Sequence, residues 1–146
     1  MIRVEEVSSR IEANVADLVG RMGFAGEFSD VIENNQLPQV TPAGFVLPGA
    51  LQGGAATAAT GIFRQDFRET VIVVLVVRVA GDALGGEGVD ELAPIIRAVV
   101  QAVCGWGPDD APGIFVLGGG ELIGSKDGAV IYHLEFNLDD QLRITP

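Results

Sequence analysis

One cysteine, Cys104, and one histidine, His133, stand in a chain of 146 residues. A lone cysteine forms neither an intramolecular disulfide nor a cysteine-based zinc site, so the fold is expected to need neither an oxidising compartment nor a structural metal. Basic residues are scarce too: nine Lys and Arg against 20 Asp and Glu leave a net charge of −11. That balance argues against a surface that holds nucleic acid by neutralising phosphates. It suits either plain solubility or a channel through which DNA slides without sticking. Long hydrophobic runs are missing. The longest, 71–77, stops at Arg78, far short of the roughly 20 residues that a membrane-spanning helix takes. The N-terminus, Met1-Ile2-Arg3-Val4-Glu5-Glu6, turns acidic where a signal peptide would be apolar. The expectation is cytoplasmic production with no export or membrane segment.

What is present is enough to fold. Hydrophobic residues make up 48% of the chain and charged residues 20%, the reverse of a disordered composition. The length fits one ordinary domain, 1–146, that buries a core without staples.

Along the chain, Val4, Val7, Ile11, Val15, Leu18 and Met22 recur at intervals of three and four. This spacing predicts one apolar face of a helix that ends near Gly20 or Gly23. Asp30 is placed to cap a short helical turn before Pro38. Phe45 and Leu47, between two prolines, predict a short strand. Residues 49–61 are mostly Gly, Ala and Thr, too slight to pack a core and too free in backbone to hold a shape alone, so a mobile loop is expected there. From 62 to 80 the pattern reads first as a solvent-flanked strand and then as one buried on both faces. Run together, these would span about 60 Å at roughly 3.3 Å per residue, so the strand must bend, bulge or project from the body. A projecting β arm needs a partner, because an open edge invites aggregation.

Leu92, Ile95, Ile96, Val99, Val100 and Val103 predict a second helix stopped by Gly105, with Pro94 in its first turn or at a kink. Strands follow near 114–117 and 122–123, then a hairpin around Lys126-Asp127-Gly128 and a last strand in which Val130, Tyr132, Leu134, Phe136 and Leu138 alternate with more polar neighbours. The whole reads as an α+β fold: a largely antiparallel or mixed sheet, two main helices on one face, and a long β arm or extended loop.

Chemistry is hard to find. Cys104 and His133 are the one nucleophilic pair available, and both sit where structural residues are common. Gly118-Gly119-Gly120-Glu121 lacks the following helix and the Lys-Ser/Thr of a phosphate loop, which favours a turn or bulge. Asp109-Asp110 and Asp139-Asp140 match no Ca²⁺ loop and read as solvated charges. No catalytic residue, cofactor or metal is implied. Arg64, Arg68 and Arg78 differ, since three of nine cations lie on one long β segment. They either blunt a strand edge or pair with carboxylates of a neighbouring subunit, where the forked guanidinium gives geometric selectivity.

Pro42-Ala43-Gly44-Phe45-Val46-Leu47-Pro48, the Gly/Ala-rich segment, Val73-Val74-Leu75-Val76-Val77-Arg78-Val79-Ala80-Gly81-Asp82-Ala83, and Gly105-Trp106 before a proline turn resemble the tail terminator proteins of long-tailed bacteriophages. The resemblance covers about residues 37–108; members often have Asn where this chain has Val79. It implies a non-enzymatic virion protein, a homo-hexameric ring on the head-proximal end of the tail tube. Such a ring stops tube polymerisation, meets the major tail tube protein on one side and the head-completion or neck protein on the other, and passes DNA through its lumen. Arg64, Arg68, Arg78 and Asp82 are then the candidate interface residues. A different neck or minor tail component, or a small ligand-binding module, is the alternative.

Overall fold

In the computed structural model, residues 1–34, 38, 40–79, 86–126 and 128–145 are described. Among these residues three α-helices accompany a five-stranded mixed sheet. Helix α1 (Val4–Asn14) is followed by a 3₁₀ turn (Ala16–Leu18), the two-residue strand β1 (Met22–Gly23) and helix α2 (Ala25–Glu33). Then come β2 (Ala43–Ala59), β3 (Ile62–Arg78), α3 (Gly86–Val103), β4 (Val116–Lys126) and β5 (Ala129–Ile144). The sheet order is β1-β2-β3-β5-β4, with β1 parallel to β2 and every other pair antiparallel.

The helices divide between the two faces of the sheet. Helices α1 and α3 cover one face, where Val7, Ile11, Leu92, Val99 and Val103 pack on Val71, Val73, Leu75, Phe136 and Leu138. Each such side chain, fully buried, contributes roughly 1.5–3 kcal/mol. The expected pair of helices on one face is therefore present. The other face carries a second, smaller cluster, in which Phe28 and Val31 of α2 lie against Phe45, Val74 and Val76. The Phe28 and Phe45 rings meet with centroids 5.3 Å apart. The unbroken Val71–Val77 run follows from this arrangement, because odd and even positions both find a cover.

Local structure departs from the sequence expectation in four places. Helix α1 ends at Asn14, earlier than Gly20 or Gly23; Val15 turns extended (φ −121°, ψ 98°), and the 3₁₀ turn then keeps Leu18 in the core. The apolar spacing is thus real while the helix is not continuous. Asp30 lies inside α2, whose N-terminal position is Phe24, with Glu27 accepting the Phe24 N–H at 3.0 Å. Pro94 lies in the interior of α3, which begins at Gly86, so the Asp90 carbonyl loses its helical donor there. Gly105, at φ +80°, stops α3 as expected.

The fourth departure matters most. Residues 49–59 are not a loop: they form the outer half of the 17-residue strand β2, paired with β3 from Leu51↔Glu69 to Ala59↔Ile62 with a register shift between Gly53 and Ala56. Thr60 and Gly61, both at positive φ (52° and 78°), close this hairpin, as a two-residue turn matched to strand twist requires. Small side chains that pack no core are still free to hydrogen-bond along a partner strand, and β3 supplies one.

Candidate assembly surface

The β2–β3 hairpin and the end of β5 project beyond the helices as a three-stranded arm. Residues 50–59 of β2 are all exposed, and β5 runs beside β3 to the tip, where Phe63 pairs with Ile144. Strand β4 stops level with the root of the arm, since Val116 pairs with Asn137 and Asn137 with Thr70. Three uncovered backbone edges follow from this order among the described residues. They are β2 beyond its short pairing with β1 at Gly44 and Phe45, the whole outer side of β4, and β5 past Asn137, where β4 no longer lies beside it. Their protection is partial, coming from Pro48 and the register shifts in β2 and from the bulges in β4. No charged residue occurs in β2 at all, and β4 bears Val116, Leu117, Leu122 and Ile123, each about half exposed. Bulges interrupt β4 between Leu117 and Gly119 and between Leu122 and Gly124. The glycine triplet therefore belongs to a bulged strand.

Strand β3 pairs with β5 without register shifts, so Arg64, Arg68 and Arg78 point to the face of α2. They are not brought together. Arg64 is exposed near the tip, directly opposite Arg143, and neither makes an ion pair among the described residues. Arg143 reaches only Gln141, at 3.0 Å. Like charges placed directly across a strand pair repel. Arg68 is already engaged by Asp139 of its own chain through two hydrogen bonds, 2.8 and 3.3 Å. The same fork holds the Asp139 carboxyl below its ordinary value. Arg78 sits at the far end of β3, half-buried, its backbone N–H donating to Thr41 Oγ1 at 3.1 Å. Asp82 lies outside the described residues.

The sequence reading missed the groove at the root of the arm, a concavity of about 1030 Å³ between the arm and the 109–113 loop. Asp109 and Asp110 line it together with Asp66, Arg68, Asp139 and Asp140, the Asp139 side chain pointing to the α2 face of the sheet and that of Asp140 to the other. Three of the four paired aspartates are engaged, and so are not simply solvated. Arg3, only 5% exposed, donates to Asp110 at 2.7 Å, to Glu6 at 3.2 Å and to Asp140 at 3.4 Å. Burial alone would lower the Arg3 pKa, and these carboxylates outweigh it and hold it raised. The hydrogen bond from Arg3 draws the Asp110 carboxyl below its ordinary value. Glu69, also buried, accepts the backbone N–H groups of Ile2 at 2.9 Å and Arg3 at 2.6 Å. One faint signal existed in the sequence: Glu69 is an acidic residue on the strand face otherwise formed by Phe67, Val71 and Val73.

Cys104 packs with the cluster under α1 and α3, whereas His133 pairs with Val74 on the α2 face, so the two stand on opposite sides of the sheet. Burial raises the Cys104 pKa, which makes its thiol a poor nucleophile. No described helix is long and apolar enough to cross a membrane.

Exposed edges and an arm bearing arginines suit a protein that works by joining other chains. No curated protein matches the chain. The model of one family does, described as phage tail terminator protein, and it matches residues 1–146, the whole chain. This chain belongs to the phage tail terminator protein family, and is a structural component of a phage tail.

Proposed function

We propose that the chain, acting as one tail-terminator-like domain, forms a hexameric ring on the head-proximal end of the finished tail tube. There it stops addition of tube protein and offers the surface to which head-completion or neck proteins join. The observation that carries this is the three-stranded arm with its two uncovered edges, which a lone monomer leaves open to aggregation. No enzymatic step is needed: the binding free energy comes from backbone pairing, apolar patches and charge. The net charge of −11 supports a lumen through which DNA passes without being held.

The test is electron microscopy of particles from a producing culture in which this gene alone is silenced. The expected result is overlong tails or tails not joined to heads, both corrected when the protein is supplied. Tails of normal length that fail to join would move the role to a neck protein, and unaltered particles would overturn it.

A further inference from the structure

We propose that copies of this chain join head to tail through one contact: the uncovered edge of the β2 arm pairs with the outer edge of β4 on the next copy. The cationic arm tip then lies against the acidic 109–113 loop of that copy. This rests on the ring reading and supplies the interface that it leaves open.

Direction and length both fit. Strands β2, β3, β5 and β4 alternate in direction across the sheet, so β2 and β4 run oppositely. A neighbour turned about an axis roughly along the strands therefore sets its β2 antiparallel to β4 and continues the alternation. Strand β4 has 11 residues, and β2 past its pairing with β1 runs uncovered from Val46 to Ala59, long enough to lie along all of β4. The two edges belong to opposite sides of one sheet, so the contact is heterologous and propagates from copy to copy until rotation closes it. They are also offset: Leu122 is level with Leu75 through Tyr132, while Ala56 is level with Gln65. That is ten residues of strand, roughly 33 Å. Each arm must then reach past its own body along the next, which strands tilted to the ring axis provide.

Charge selects the same register. In this antiparallel arrangement the arm tip, Ala59 to Ile62, meets the start of β4 at Val116. Just upstream lie Asp109 and Asp110. The tip carries Arg64 opposite Arg143, and neither forms an ion pair among the described residues. Asp109 likewise has no ion pair among the described residues, and Asp110 is 77% exposed even while bound by Arg3. Two repelling arginines in one copy thus find carboxylates in another.

The experiment uses the full chain, free and bound to purified tail tubes, followed by sedimentation velocity and electron microscopy. Arg64→Glu/Arg143→Glu and Asp109→Arg should each abolish assembly alone, and an equimolar mixture should restore wild-type rings, because alternating copies regain every arm-to-loop contact. Restoration also shows that both variants are folded. In a Cys104→Ala background, Ala58→Cys/Leu117→Cys should give a disulfide ladder under mild oxidation that ends at the closed ring, and Ala58→Cys alone should give none. Rings that persist in both charge variants, or efficient dimer cross-linking by Ala58→Cys alone, would overturn the inference while leaving the ring intact as a reading. Wild-type chain that stays monomeric both free and on tubes would overturn the two together.

Discussion

Glu69 is an acidic residue buried in the sheet, and it is tolerated there because both carboxylate oxygens accept backbone N–H groups, from Ile2 and Arg3. This fork holds Ile2 at φ 58°, a conformation costly for a β-branched side chain. Glu69→Gln keeps the size and replaces one acceptor by a donor. It should free the N-terminal strap and lower stability by about 1–3 kcal/mol, read by urea denaturation and by faster exchange of the Arg3 amide. Two other carboxyls, Asp110 and Asp139, are held below their ordinary values by hydrogen bonds from Arg3 and Arg68. The unfolded chain then binds more protons than the folded one across the window between the depressed and ordinary values. Stability from these pairs is accordingly full above the ordinary carboxylate range and lost as pH falls through the folded values. Urea midpoints measured across that window should fall with pH, and Asp139→Asn should flatten part of the slope.

At the scale of the element, the arm depends on its turn. Thr60 occupies a left-handed position that its branched side chain disfavours, beside a glycine that suits it. Thr60→Asn should stabilise the hairpin by up to about 1 kcal/mol, seen as slower amide exchange at Ala58 and Phe63. Val74 is the contrasting case, 2% exposed beneath α2. Val74→Asp buries an unpaired carboxylate and should prevent folding, as circular dichroism would register. Arg68→Glu sets two carboxylates opposite each other at Asp139 on an exposed stretch, and should leave the monomer folded, with an unchanged circular dichroism spectrum. The turn, the buried strand and the exposed ladder therefore respond on three different scales, although all belong to one hairpin.

At the scale of the whole molecule, charge is separated: the arm tip is locally cationic and the chain as a whole carries −11. Contact between the tip of one copy and the acidic loop of another would be solvent-exposed and screened over about 10 Å at 0.1 M salt. Added sodium chloride should therefore shift the assembly equilibrium toward smaller species in sedimentation velocity, for the wild-type chain and for the equimolar mixture of the two charge variants alike. Edge pairing itself, being backbone hydrogen bonds and apolar contacts, is far less sensitive to salt.

Periodicity alone determined the α+β class, the apolar stripe of α3 and its stop at Gly105, the change in β3 from exposed to buried, and the alternation in β5. Each depends on neighbours within a few residues, where helix and strand geometry leave their mark on the chain. Family membership was legible for the same reason, in short runs such as Pro42-Ala43-Gly44-Phe45-Val46-Leu47-Pro48. Tertiary structure decided the rest. A Gly/Ala/Thr segment becomes a strand only because β3 lies beside it, and Arg68 is engaged only because Asp139 stands across from it on β5. Arg3 and Asp110 meet at 2.7 Å although 107 residues separate them. Such pairings are set by which strands and helices come together, and no local pattern in the chain encodes that distance.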